Sequence, residues 1–201
     1  MNTINIDFKI INTWDVTPEF KKRDLTTQDS IESVNIKLAV DWMLSNEEFL
    51  HGGYAIDYNG EPWNGNFDED IKANEYFIDH LGGAESFLRA VVKLIQGQSI
   101  ENWIWQVDGS HMKLELLENG LLKLEDKNYD LKEIEINWKS FLKEFHKASN
   151  SYLMFLEKLH ELLQERNEDN TWLHKVRQSN TLELKNWRNN LNVIARIERS
   201  E

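Results

Sequence analysis

Acidic and aromatic side chains are concentrated between residues 54 and 70, in the stretch YAIDYNGEPWNGNFDED. Its oxygen-bearing side chains could together coordinate a calcium ion. They are Asp57, Asn59, Glu61, Asn64, Asp68 and Asp70. The spacing differs from that of an EF-hand loop, because Gly60 follows Asp57 too closely. Acidic residues also stabilise the N-terminus of a helix, so a structural role for residues 68–70 stands beside the metal-binding one.

The same stretch has the composition of a protein-binding loop. Its aromatic residues stand among glycines, asparagines and acids, and tyrosine and tryptophan are enriched at protein–protein interfaces. We predict a partner-binding surface formed by Tyr54, Tyr58, Glu61, Trp63, Asp68, Glu69 and Asp70. The alternative is that Trp63 folds back beneath the loop and closes the core.

Other candidate chemistry is weaker. Two Glu-x-x-His pairs have the spacing used in di-iron helical bundles, namely Glu48/His51 and Glu157/His160. Measured from the core position Leu159, His160 lies about 100° round the helix and Glu157 about 160°. Both are therefore expected to face away from the core, and no metal site is predicted. The sequence has no cysteine, phosphate loop, dinucleotide fingerprint or Gly-x-Ser-x-Gly motif, so it predicts no cofactor and carries no catalytic signature.

The net charge of −12 comes from the main body of the chain. Residues 166–201 hold seven Lys/Arg and five Asp/Glu, which leaves 16 Lys/Arg and 30 Asp/Glu, a balance of −14, in residues 1–165. Such a body repels phosphates and suits a basic protein partner, so nucleic acid is not an expected partner. No apolar run approaches the roughly 20 residues of a membrane span, and residues 1–7 lack the basic and apolar regions of a signal peptide, so no membrane contact and a cytoplasmic location are expected.

Hydrophobic periodicity predicts the elements that position these side chains. Alternating Ile4, Ile6, Phe8 and Ile10 predict a half-buried strand. The stretch WIWQVDGSHMKLELLENGLLKLED (103–126) alternates around two hairpin signals, Asp108-Gly109 and Asn119-Gly120, and EIEIN (133–137) adds a fourth strand. Other predicted elements of this part are helices at 29–50, 68–81 and 84–96, a strand at 54–58, and breaks at Gly52-Gly53 and Gly82-Gly83.

The predicted meander has one apolar face and one charged face. Its outward positions are Lys113, Glu115, Lys123, Glu125, Glu133 and Glu135. A long stripe of Phe, Leu and Tyr then predicts an amphipathic helix over 137–165. After a polar break, a short helix is expected at 172–178 and a last helix at 181–198, with Asn180 and Glu183 as its capping box.

The expected fold class is therefore α+β. An antiparallel meander of about four to five strands is packed against the long helix, with flanking helices. The whole chain, 1–201, is expected to form a single domain, with 167–201 as a C-terminal helical extension packed on it.

The segment from Trp103 through EIEINWKSFLKEFHKASNSYLMFLEKL (133–159) resembles small bacterial immunity proteins, which neutralise the toxins of polymorphic and contact-dependent inhibition systems. The shared features are a Trp-bearing strand, a charged meander, a strand that ends near a Trp, and a long helix striped with Phe and Leu. A low pI and the lack of cysteine fit the same group. The resemblance implies a non-catalytic protein that binds one cognate toxin and blocks its active site or substrate path.

The expected function is thus an acidic binding protein of immunity type, directed at a basic toxin such as a nuclease. Two alternatives belong to other classes. One is a small metal-dependent hydrolase that uses the 57–70 acidic loop. The other is a phage- or plasmid-type DNA mimic, whose carboxylates would be spaced like phosphates; the lysines interleaved in the meander weigh against it.

Overall fold

A computed structural model describes residues 3–12, 27–50, 52–63, 81–98, 100–104, 111–126, 132–167 and 170–198. The strands in these ranges are β1 (Ile4–Asn12), β2 (Thr27–Ser30), β3 (Gly52–Tyr58), β4 (Glu61–Pro62), β5 (Ile100–Ile104), β6 (His111–Leu116), β7 (Leu121–Asp126) and β8 (Lys132–Asn137). The helices are α1 (Ile36–Asn46), α2 (Leu81–Ile95), α3 (Trp138–Glu165) and α4 (Thr171–Glu198). These elements confirm the α+β class.

The strands form two antiparallel sheets, whereas the sequence predicted one. The first has the order β2-β1-β3-β4, and the second has the order β5-β6-β7-β8. The second sheet is the predicted meander, with the Asn119-Gly120 turn between β6 and β7 and Gly120 at a φ of +78°. In the first sheet β1 pairs with β3, from Ile4 opposite Tyr58 to Ile10 opposite Gly52. This pairing spans an intervening helix, so no local turn signal could indicate it.

The meander has the predicted alternation of apolar and charged faces. Its buried positions are Leu114, Leu122, Leu124, Ile134 and Ile136. On the opposite face, Lys113 Nζ lies 2.9 Å from Glu115 Oε2, and Lys123 Nζ lies 2.9 Å from Glu133 Oε2. The outward charges are thus partly paired with one another.

The long helix is confirmed, but most of its packing partners differ from those predicted. Asn137 caps α3, since its Oδ1 accepts a hydrogen bond of 3.0 Å from the backbone N–H of Ser140. The Trp138 N–H donates to Gly120 O at 3.1 Å, which fixes the first turn of α3 at the end of the meander. Beyond that turn α3 packs more extensively against β1 than against β7 or β8. The prediction that this helix covers the meander is therefore correct only for its start.

Three predicted helix boundaries are wrong. The predicted helix at 29–50 is replaced by β2 and by the shorter α1, because residues 27–30 pair with β1 and the side chain of Asn35 caps the helix at Leu38 N. Gly52-Gly53 begins β3, and Gly82-Gly83 lies inside α2. Nearly all of the predicted 68–81 helix, together with Trp105 and Asp108-Gly109, lies outside the described residues.

Residues 171–198 form one helix, α4, whereas the sequence predicted two. Asn180 is 3% exposed and lies within this helix. Its Oδ1 lies 2.9 Å from His160 Nδ1, and its Nδ2 lies 3.5 Å from Leu156 O. The capping-box prediction was wrong because both polar groups of this side chain find partners on α3. None of the helices in the described ranges has the length and apolar character required to cross a membrane.

An aromatic cluster joins the first sheet to the helices. Phe8 of β1 stacks on Tyr152 of α3 with ring centroids 4.1 Å apart, and Trp187 of α4 meets the Tyr152 ring edge-on at 4.7 Å. Tyr54 of β3 stacks on Phe145 at 4.7 Å. All five rings are fully buried. The packing of α3 and α4 on β1 and β3 therefore depends on these rings.

Two adjacent glycines in β3 test the register of the first sheet. A Cβ at Gly52 would lie 2.5 Å from the backbone oxygen of Lys9, whereas a Cβ at Gly53 would meet nothing within 4 Å. We expect Gly52→Ala to lower the free energy of unfolding by about 2 kcal/mol or more, because two backbones must move apart. Gly53→Ala, the matched control, should leave it nearly unchanged or slightly raised. Urea denaturation measures both, and equal losses in the two variants would contradict the β1–β3 register.

Candidate functional site

The β3–β4 hairpin forms the described part of the predicted binding loop. Asn59 and Gly60 both have positive φ, 55° and 86°, as a two-residue type I′ turn requires. The Asn59 N–H donates to Thr3 O at 2.9 Å, and the Thr3 N–H donates to Asn59 Oδ1 at 3.0 Å. These two bonds attach the turn to the start of β1, so the hairpin has a defined position at the edge of the first sheet.

The hairpin meets β8 of the second sheet through Tyr58. The hydroxyl of this half-buried side chain donates to the backbone oxygen of Glu135 at 3.4 Å. Asp57 is also half-buried and accepts from Asn5 Nδ2 at 3.5 Å, while Glu61 and Glu135 are exposed. We call Asp57, Tyr58, Glu61 and Glu135 the hairpin surface. It brings Glu61, directly opposite Tyr58, and Glu135 of β8 to one aromatic ring where the two sheets meet, whereas the Asp57 side chain points to the other face of β3.

Two of the predicted site residues lie in the core. The ring of Tyr54 is fully buried, with its edge or face against Phe8, Phe87 and Phe145. Trp63 is 5% exposed, and its backbone N–H donates to Ile56 O at 2.7 Å. Trp63 thus adopts the alternative arrangement, folded beneath the loop. Neither side chain offers surface to a partner, so of the described predicted residues Tyr58 and Glu61 remain accessible.

Asp68, Glu69 and Asp70 lie outside the described residues, and their predicted role stays a prediction. The predicted site also did not include Glu135, which belongs to β8 of the meander and lies next to Tyr58 in the structure. Its approach to Tyr58 results from contact between two sheets, and no periodicity within either segment indicates it.

Burial explains the state of Tyr54. Loss of water around the phenol raises the pKa of Tyr54 far above its ordinary value, and a hydrogen bond with Ser149 only partly opposes this. The Tyr54 Oη and Ser149 Oγ lie 2.6 Å apart, and Ser149 is itself fully buried. This hydroxyl pair therefore serves the core, because a buried hydroxyl without a partner is costly.

A groove of about 560 Å³ lies between α3 and α4. Arg188 of α4 reaches Glu157 Oε1 with Nη2 at 2.7 Å and Nε at 3.2 Å. The amide of Asn180 donates to Leu156 O, so its oxygen accepts from His160, which places a proton on His160 Nδ1. Glu157 and His160 were expected to face away from the core, but both are half-buried and contact side chains of α4.

The described ranges contain no group of three or more His, Asp or Glu residues that could hold a metal ion. Asp57 and Glu61, the described acids of the 57–70 loop, flank the hairpin turn on opposite strands, where Tyr58 pairs with Glu61. What these residues offer chemically is negative charge and hydrogen bonding at a surface.

The sequence analysis did not predict the polar pair of Tyr152 and Glu183. Tyr152 is fully buried and donates its hydroxyl to Glu183 Oε1 at 2.7 Å. Burial raises the pKa of the Glu183 carboxyl to about 7; the hydrogen bond from Tyr152 opposes the shift, and the charge of Glu85 adds to it. A signal for this pair was present, because a tyrosine in the core stripe of a helix needs a partner for its hydroxyl.

No family model, curated protein or solved structure matches this chain. The resemblance of residues 103–159 to immunity proteins is therefore supported by residue pattern alone. The geometry of the hairpin surface is the remaining guide to function.

The assignment of Tyr54 to the core predicts coupled energetics with Ser149. Tyr54→Phe or Ser149→Ala should each lower the free energy of unfolding by about 1–2 kcal/mol, since each leaves one buried hydroxyl without its partner. The double variant should lose clearly less than the sum of the two, because both polar groups are then gone. Urea unfolding of the four proteins measures the coupling. Strictly additive losses would contradict a direct hydrogen bond.

Proposed function

We propose that this chain is a non-catalytic acidic binding protein of immunity type, which neutralises a cognate bacterial toxin by direct contact through the hairpin surface. The observation that carries the proposal is the junction of Asp57, Tyr58 and Glu61 with Glu135. The exposed carboxylate of Glu61 lies directly opposite the half-exposed ring of Tyr58, and the exposed Glu135 lies at its hydroxyl, a combination suited to a basic protein surface.

Tyr58 suits the role of an anchor at this surface. Its hydroxyl is already held by the backbone of β8, so the ring loses little conformational freedom when a partner covers it. An aromatic side chain with a polar tip provides both apolar contact area and orientation. The surrounding carboxylates supply attraction during encounter, in a chain whose net charge is −12.

The meander favours a protein toxin over the DNA-mimic alternative. Lys113 donates a hydrogen bond to Glu115 and lowers the pKa of that carboxyl, and Glu133 raises the pKa of Lys123 by accepting from it. These pairs place positive charge between the carboxylates of the exposed face. An uninterrupted row of negative charge, as a DNA mimic requires, is therefore not formed by this face.

The metal-dependent hydrolase is tested by direct measurement. Calcium or manganese that binds the folded chain would raise its melting temperature. Under the proposal, neither ion shifts the melting temperature at concentrations up to about 1 mM, the upper range of extracellular calcium sites. A saturable shift would instead favour a metal site and speak against the proposed function.

Under the proposal, a large gene whose product ends in the cognate toxin is expected next to the gene of this chain. The C-terminal part of the neighbouring large gene product is expressed alone and together with this chain, and growth and binding are measured. We expect co-expression to restore growth and the purified proteins to form a complex whose association rate falls as salt rises. Absence of both rescue and complex would overturn the proposal.

Charge reversal locates the binding surface. Glu61→Lys combined with Glu135→Lys should weaken the complex by about a hundredfold or more, mainly through repulsion of basic partner residues. The matched control is Glu161→Lys with Glu165→Lys, which changes the net charge equally at the far end of α3, about 35–40 Å along that helix from β8. Equal weakening by both pairs would show a general charge effect and remove the hairpin surface from the proposal.

A further inference from the structure

Three helices meet at a pair of polar side chains, the fully buried Tyr152 and the half-buried Glu183. Tyr152 of α3 donates its hydroxyl to Glu183 of α4, with 2.7 Å between the oxygens. One turn further along α4, Asn186 Nδ2 donates to Glu85 Oε1 of α2 at 3.1 Å. Two carboxylates from different helices thus stand near one fully buried phenol. We call Tyr152, Glu183, Asn186 and Glu85 the clasp.

We propose that the clasp is a proton-operated device that holds α4 against α2 and α3 more tightly when the Glu183 carboxyl is protonated. A neutral carboxyl still accepts from Tyr152 and places no charge in the interior. An ionised carboxyl accepts the same hydrogen bond, but it adds a poorly solvated negative charge close to the negative charge of Glu85. This inference is independent of the proposed function.

The electrostatic surroundings agree with this geometry. Burial, the largest cause, raises the pKa of Glu183 from an ordinary 4.5 to about 7. The folded state therefore binds more protons than the unfolded state between these values. Stability contributed by the clasp is complete below the unfolded pKa, falls as pH rises through the interval, and levels off above about 7.

The groups that face Glu183 come from each element packed around it. From α3 comes Tyr152, whose own pKa is raised well above its ordinary value by burial and then by Glu183. From α2 comes Glu85, which also lies 3.7 Å from the Nη1 of Arg89. From β3 comes Tyr54, whose pKa burial raises far above its ordinary value, so that it is uncharged. In the described ranges the neighbourhood is therefore mainly acidic or neutral, which favours the protonated carboxyl.

Two positively charged residues of α4 lie near the clasp in sequence, but their side chains are directed to the α3–α4 groove. Arg188 is bound to Glu157 across the α3–α4 groove, and Lys185 lines the same groove. Both are exposed, whereas Glu183 is hydrogen-bonded to a core residue. Neither positive charge is placed to neutralise Glu183 by a direct ion pair.

Backbone hydrogen exchange of the full chain measures the effect. We expect the equilibrium constant for opening of the α4 amides, corrected for intrinsic exchange, to rise by roughly two orders of magnitude between about pH 5 and pH 8. In Glu183→Gln, which keeps an acceptor for Tyr152 without a charge, this rise should disappear. The same rise in wild type and Glu183→Gln would overturn the proposal, because other groups such as histidines would then cause it.

A titration of the Glu183 side-chain carbon by NMR gives a second readout that does not depend on helix opening. Its midpoint is expected near the value of about 7, and a midpoint near the ordinary 4.5 contradicts the proposal. Two variants should move it in opposite directions. Glu85→Gln removes a negative charge and should lower the midpoint, whereas Tyr152→Phe removes the hydrogen bond to the carboxylate and should raise it. An unchanged midpoint in both would show that the clasp does not act as one unit.

Discussion

Two tyrosine hydroxyls inside an aromatic core constrain much of this structure. The rings of Tyr54 and Tyr152 supply the area that joins the first sheet to the helices, and each ring takes a hydroxyl out of water. An unpartnered buried hydroxyl costs about 1–3 kcal/mol. The structure avoids that cost because Ser149 forms a hydrogen bond with the Tyr54 hydroxyl and Glu183 accepts one from the Tyr152 hydroxyl. The rotation of α3 about its axis and the position of α4 must satisfy both bonds together.

The same requirement shapes the pair of C-terminal helices. Two polar pairs join α3 to α4 beside their apolar contacts. Asn180 forms a hydrogen bond with His160, and Arg188 forms an ion pair with Glu157. Arg177 donates to the backbone oxygens of Leu163 and Arg166, which satisfies carbonyls left free where α3 ends. Because its polar side chains bond to α3, α4 has polar residues in its middle that are buried or half-buried. Asn180 and Glu183 therefore resembled a capping box in sequence, although they lie in the middle of α4.

Local signals predicted what local forces determine. β1, the meander with its Asn119-Gly120 turn, and α3 all follow from periodicity or turn chemistry within a few residues. The missed features are non-local. β2 forms because residues 27–30 find a partner in β1, and the second sheet separates from the first because β1 pairs with β3. For the site, composition identified the hairpin with Tyr58 and Glu61, but only tertiary packing decides that Tyr54 and Trp63 are buried and that Glu135 is adjacent.

The contrast between Glu61 and Glu183 shows how one residue type acquires two roles. Glu61 is exposed at the end of a hairpin, where water solvates its carboxylate and leaves the charge available to a partner. Glu183 is drawn inward because a buried tyrosine needs an acceptor, so the same carboxylate becomes a cost that a proton removes. The position of each acid relative to the aromatic core thus determines whether its charge lies at the surface, as for Glu61, or is expected to respond to pH, as for Glu183. The proposed recognition surface and the proposed pH response therefore belong to separate parts of the molecule.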